Sequence, residues 1–190
     1  MKRLVYGLIK LFRTVGGVVI RIVVSKDFIS MASEYVGKVF PPLQADVEKW
    51  QLRFFAKAVG ESNPIYFDEV AAQAEGHKSI LAPPTYVLTL SIAEPDPFQK
   101  YRELGINPEQ MLHAQQKFEY FAPIYAGDKI TFTSRIVDFI ERRKGAIKFL
   151  IEETDAVNQE GVMTTRFRKT VVIKGNGLND TATEGKETAT

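Results

Sequence analysis

The chain contains no cysteine. A disulfide framework and a thiolate metal site are both excluded. Histidine is nearly as scarce, with only His77 and His113. A metal centre would have to be built mostly from carboxylates, and the sequence has no ligand spacing of that kind, so neither a metal nor a cofactor is expected. Long hydrophobic runs are missing too. The apolar segment at residues 1–30 is broken by Lys2, Arg3, Lys10, Arg13, Arg21 and Lys26, and its longest uncharged run, Thr14 to Ile20, is too short to span a bilayer. No small-residue cleavage pattern follows it, so a secretory leader is not expected, and the chain is placed in the cytoplasm. Three readings of this segment stay open: an amphipathic surface anchor, a mitochondrial-type transit peptide, or sequence upstream of a true start at Met31.

The bulk of the chain also lacks an excess of positive charge. Against 25 Lys and Arg stand 23 Asp and Glu, a net +2. Residues 1–30 hold six of the bases and one acid, Asp27, so the rest of the chain is net negative. A nucleic-acid footprint is therefore not expected.

What is present suits one globular unit. The 190 residues are 45% hydrophobic, enough for a sizeable core. The expected organisation is an N-terminal extension (1–30), one α+β domain (31–174) and a disordered Gly/Thr/Asn/Glu-rich tail (175–190). Within the domain, Val36 to Phe40 reads as a short strand ended by Pro41-Pro42. Asp46 is placed to cap a helix through Val59, with Trp50, Phe54, Phe55 and Ala58 near one face and Gly60 as the stop. Asp68 opens a second short helix that ends at Gly76. Pro83-Pro84 opens a third, through Tyr86, Leu88, Leu90 and Ile92, apolar nearly all round and so expected to be buried. Glu94 to Met111 reads as an irregular connection.

The periodicity then changes from that of helices to that of strands. Ala114 to Phe121, Lys129 to Arg142, Ala146 to Val157 and Val162 to Ile173 alternate, with a turn at Pro123 to Asp128. Helices followed by strands predict a four-strand antiparallel meander with helices on one face, wrapped around the apolar third helix.

Three blocks carry a family likeness: FAKAVGESNPIYFDEVAA (55–72), AEGHKSILAPPTY (74–86) and QQKFEYFAPIYAGDKI (115–130). Over about residues 33–174 the chain resembles the MaoC-type acyl-thioester dehydratases and hydratases. It is most similar to the N-terminal-type domain of that family, which includes the acyl-binding, non-catalytic subunits of (3R)-hydroxyacyl-ACP dehydratases. The resemblance implies a hot-dog fold, an antiparallel sheet wrapped around a central buried helix. It also implies a 2-enoyl or (3R)-hydroxyacyl thioester substrate, carried on CoA or acyl carrier protein. The family's catalytic loop reads G-D-x-N-P-[LIV]-H. Here it reads Gly60-Glu61-Ser62-Asn63-Pro64-Ile65-Tyr66, so Gly60, Asn63 and Pro64 match. Glu61 replaces the Asp and Tyr66 replaces the His.

That departure falls on proton transfer. Hydration of an enoyl thioester needs a base for water, an acid for C2 and donors for the enolate oxygen. Histidine, with a pKa of about 6.5, suits the task. Tyrosine, at about 10, donates at neutral pH but is a poor base. A glutamate in place of aspartate moves its carboxylate outward, and a displacement of about 1 Å can cost roughly a hundredfold.

The candidate catalytic residues are thus Glu61 and Tyr66, with hydrogen-bonding relics as the alternative reading. The candidate substrate-binding residues are Asn63, Pro64, Pro84, Thr85 and Gln116. His77 and His113 read as surface or edge residues. Arg142, Arg143 and Lys144 read as a solvated turn, or as contacts for the anionic carrier.

Three functions follow from the resemblance and these residues. The first is an acyl-binding subunit that forms a heterodimer with a catalytic, His/Asp-bearing MaoC-type partner. The second is a self-sufficient homodimeric hydratase using Glu61 and Tyr66. The third is a non-enzymatic acyl-thioester-binding subunit. All three expect a dimer, because a lone sheet leaves an edge to cover.

Overall fold

The structure, a computed structural model, describes residues 9–15, 18–24, 34–142 and 146–174, with side chains from residue 34 onward. The tail at 175–190, the start proposed at Met31 and the turn residues Arg143 and Lys144 lie outside the described residues. In the N-terminal extension, β1 (Ile9–Val15) and β2 (Val18–Val24) pair antiparallel as a two-stranded sheet of their own.

The main sheet has five antiparallel strands: β3 (Leu43–Asp46), β4 (Met111–Tyr120), β5 (Lys129–Arg142), β6 (Ile147–Val157) and β7 (Met163–Lys174). Their order across the sheet is β3-β5-β6-β7-β4. This corrects the expected four-strand meander. Only β5, β6 and β7 run as one, while β4 crosses to the far edge and pairs with β7. The alternation of β4 was legible, but its neighbour is set by long-range packing.

The first strand is also displaced. Val36 to Phe40 contributes a single bridge, Val39 to Arg135, and regular pairing begins only at Leu43. Gly37 turns at φ +91°, which a side-chain-bearing residue rarely adopts, and Pro41 and Pro42 offer no N–H to a ladder.

Among the described residues, four short helices lie against the inner face: α1 (Lys49–Ala58), α2 (Glu69–Ala74), α3 (Tyr86–Leu90) and α4 (Gln99–Arg102). Helix α1 starts at Lys49 rather than at an Asp46 cap, because Asp46 is still paired with Lys129 at the end of β3. Its buried face is Leu52 and Ala56, leaving Trp50 and Phe54 exposed, opposite to expectation. Both stripes are apolar at helical spacing, and the sequence does not say which one meets the sheet. Helix α3 spans just over one turn, with Tyr86, Val87 and Leu90 buried and Ile92 exposed beyond its end. The stretch expected to be irregular holds α4, whose Tyr101 is buried.

Two apolar clusters form the core. One gathers Leu52, Ile80, Val87, Ile130, Phe132 and Phe167 between α1, α3 and the sheet. The other gathers Tyr35, Phe40, Ile106, Phe139 and Ile173 toward the opposite end. A side chain buried as fully as Leu52 contributes about 1.5–3 kcal/mol.

Candidate active site

The motif loop is built by the end of α1. Gly60 takes φ +76°, and the Glu61 N–H donates back to Ala56 O at 2.9 Å, closing the helix. The Glu61 carboxylate then accepts from Ser62 N at 2.8 Å and Asn63 N at 3.0 Å. Asn63 Oδ1 accepts from Ile65 N at 3.2 Å, and Pro64 sits at the first position of a 3-10 turn, Pro64–Tyr66. Arg53 Nε donates to Phe67 O at 2.8 Å and ties the loop to α1. The amides of Asn63 and Ser62 hold the Glu61 carboxyl below the usual range. Burial, followed by the nearby Glu61, pushes the Tyr66 phenol up.

Tyr66 faces a cavity of about 340 Å³, walled chiefly by Pro83, Pro84, Tyr120, Phe121, Ile124 and Thr165. Of the expected site residues, Tyr66 and Pro84 line it. Glu61, Asn63 and Pro64 shape the loop and are not among the lining residues, and Thr85 is exposed beside the start of α3. Gln116 lies on the inner face of β4, its amide nitrogen and oxygen both buried without a hydrogen-bond partner, and it too is absent from the lining.

Two hydroxyls in the wall went unnoticed in the sequence. Tyr120 Oη donates to Pro84 O at 3.2 Å, and Thr165 is 1% exposed. Both come from inward strand positions where alternation shows a face but not a ligand. Three hydroxyl-bearing residues thus line the cavity, and no carboxylate, imidazole or ammonium does. No group of three or more His, Asp or Glu suited to a metal occurs among the described residues.

The Ala-Gly-Asp block has a structural task. Gly127 turns at φ +87° and donates to Val47 O at 2.9 Å. Asp128, 2% exposed, accepts from Tyr125 N and Lys78 Nζ, both at 2.8 Å, and from Gln159 Nε2 at 3.2 Å. It fixes the turn that delivers Pro123 and Ile124 to the cavity wall. Asp128→Ala is expected to lower stability by about 3 kcal/mol, since hydrogen bonds to a charged group contribute about 1.5–3 kcal/mol each and are not additive. A urea denaturation midpoint unchanged from wild type would show that the turn holds without it.

A sheet packed on a short buried helix, with a cavity where a Gly-x-x-Asn-Pro turn meets the helix start, defines a hot-dog-fold protein of the MaoC type. Residues 34–166 match the family model described as the FAS1-like, dehydratase domain region, and the chain belongs to that family. A UPF0336 protein of Saccharopolyspora erythraea is 32% identical over 142 residues, covering 74% of this chain and 90% of that one. Another UPF0336 protein, from Streptomyces griseus, is 37% identical over 108 residues, covering 56% and 72%.

Among solved structures, the C-terminally truncated HadBC (3R-hydroxyacyl-ACP dehydratase) complex from Mycobacterium tuberculosis is similar. It has a TM-score of 0.62, 26% identity, and coverage of 72% of this chain and 96% of that one. The R-hydratase PhaJ1 from Pseudomonas aeruginosa shares the fold at a TM-score of 0.57 and 18% identity, covering 82% and 92%. The ChsH1-ChsH2 complex from Mycobacterium tuberculosis does so at 0.60 and 16%, covering 78% and 95%. No helix among the described residues is long and apolar enough to cross a membrane.

Proposed function

We propose that the chain is the acyl-binding subunit of a dehydratase or hydratase acting on (3R)-hydroxyacyl and 2-enoyl thioesters of CoA or acyl carrier protein. It works in the cytoplasm beside a hot-dog partner that supplies the Asp/His pair. One observation carries the reading. The cavity at the family's catalytic loop has an apolar wall with three hydroxyls and no group in its lining that titrates near neutral pH. Such a site can hold an acyl chain and donate to a thioester carbonyl, but it has no base for water. Glu61 does not supply that base in this reading, because it is not among the lining residues and two backbone amides on its Oε1 lower its basicity. The partner is motivated by β4, a ten-residue strand at the edge of the sheet, whose free side another strand can pair with. It is also motivated by the similar HadBC and ChsH1-ChsH2 structures, both complexes by name.

The test is binding by the full chain alone. Butyryl-CoA is expected to bind saturably in calorimetry. Ala122→Trp, which places an indole at a lining position, is expected to weaken it by at least about tenfold, some 1.4 kcal/mol. An absence of saturable binding, both alone and with a hot-dog partner, overturns the reading.

A further inference from the structure

The inner faces of β4 and β7 run past the cavity in matched rows. Tyr120 pairs with Thr165, Phe118 with Phe167, and Gln116 with Lys169. The first row lines the cavity. The second row, two residues and so about 7 Å further along the strands, is aromatic. The Phe118 ring lies 5.8 Å from Tyr120, nearly parallel, and 5.9 Å from Phe167, which stands 6.4 Å from Phe132 on β5. These rings join the cluster that packs against Tyr86, Val87 and Leu90 of α3.

The third row is polar and desolvated. Gln116 has both amide atoms buried and unpartnered. Lys169 lies 3.5 Å from Glu152, which also accepts from Lys100 Nζ at 2.7 Å and Tyr101 Oη at 2.6 Å. Lys100 also borders a separate polar cleft of about 250 Å³, with Ser91, Glu94 and Ser134.

We propose that Phe118 and Phe167, which lie behind the Tyr120 and Thr165 row of the cavity lining, form an aromatic barrier at its inner end, backed by the Gln116, Lys169 and Glu152 row, and restrict the site to short acyl thioesters. This rests on the acyl-binding reading above. A chain that outgrows the apolar cavity must displace the aromatic wall and then lay methylenes against an ion cluster. That cluster keeps its stability only while its charges stay paired and hydrogen-bonded. At about 340 Å³ the cavity is already near the lower limit for small-molecule sites. The wall therefore acts as the length-selecting element, and Phe118, half-buried on the edge strand, is its replaceable half.

The test is calorimetric titration of the full chain with butyryl-, octanoyl- and lauroyl-CoA. Wild type is expected to bind butyryl-CoA at least about tenfold tighter than lauroyl-CoA, and Phe118→Ala to reduce that ratio by about tenfold through gain on the longer ligands. Phe118→Leu, which keeps most of the buried surface, is expected to shift the ratio in the same direction by less. Circular dichroism melts verify that the variants are folded. Wild-type binding that strengthens steadily with chain length overturns the proposal, as does an unchanged ratio in a folded Phe118 variant. If no thioester binds at any length, the acyl-binding function itself fails, an outcome distinct from binding without length selection.

Discussion

Glu152→Ala is expected to destabilise the protein by about 3–5 kcal/mol, read from urea denaturation. Glu152 is 2% exposed and is the shared acceptor for Lys100, Lys169 and the Tyr101 hydroxyl. Truncating it leaves two largely buried ammoniums without a counter-charge and removes the acceptor of a buried phenol. The cost arises from those orphaned partners rather than from the net worth of the ion pairs. The double variant Glu152→Leu with Lys169→Met is therefore expected to lose much less than Glu152→Ala alone. A cycle in which the two changes simply add would sink the argument.

The pH dependence has a definite sign. Burial works against the Glu152 charge, but Lys169 and Lys100 outweigh it and hold the carboxyl below its ordinary range. The stabilisation is thus complete above the ordinary carboxylate pKa of about 4.3, and is lost as pH falls through the lower folded value. Lys169 goes the other way. Burial pushes its ammonium below the usual lysine range despite Glu152, so its charged form costs stability at neutral pH. Wild type should weaken steeply below pH 4, and Glu152→Gln less so.

Little of this cluster is legible in the sequence. Glu152-Glu153-Thr154-Asp155 is a hydrophilic run within the strand expected at Ala146 to Val157, yet Glu152, Glu153 and Thr154 are all buried. Glu152 meets Lys100 and Tyr101 from α4, some fifty residues away. Glu153 faces the opposite side of the sheet under Arg135 and Arg168, with Arg168 Nε at 2.5 Å. Alternation gives strand faces, but not which distant cation will neutralise a buried acid.

The same limit explains Trp50 and Phe54, where two apolar stripes compete on α1, and β4, whose partner strand is chosen by long-range packing. Local chemistry travelled better. Gly60 and Asp68 do in the structure what their stop and cap preferences predict, and the loop motif led to the cavity through Tyr66. Tyr120 and Thr165 were hidden because an inward strand position is ordinarily core.

Turnover by the chain alone is expected to be about 10²–10⁴ times slower than with an Asp/His-bearing hot-dog partner, the range that a positioned general acid and base contribute. Removing water from a (3R)-hydroxyacyl thioester, or adding it to the enoyl form, requires a base and an acid that exchange protons near neutral pH. In this site the titrating groups are pushed away from that range in both directions. The amides of Asn63 and Ser62 pull the Glu61 carboxyl down, which weakens it as a base. Burial drives the Tyr66 and Tyr120 phenols up, which weakens them as acids and keeps them neutral donors. The Tyr66 phenol at the cavity can still donate to a carbonyl, so ground-state binding is expected to survive where proton transfer does not.

The discriminating measurement is loss of enoyl-thioester absorbance with crotonyl-CoA, for the chain alone, the partner alone and the pair. Glu61→Gln in the pair is expected to change kcat by less than about threefold, because its role is to hold a turn rather than to move a proton. Full turnover by the chain alone, lost in Glu61→Gln, would instead make this loop a complete active site. Its carboxylate would then have to take the proton from water at Oε2, with both backbone amides still donating to Oε1 and lowering its basicity.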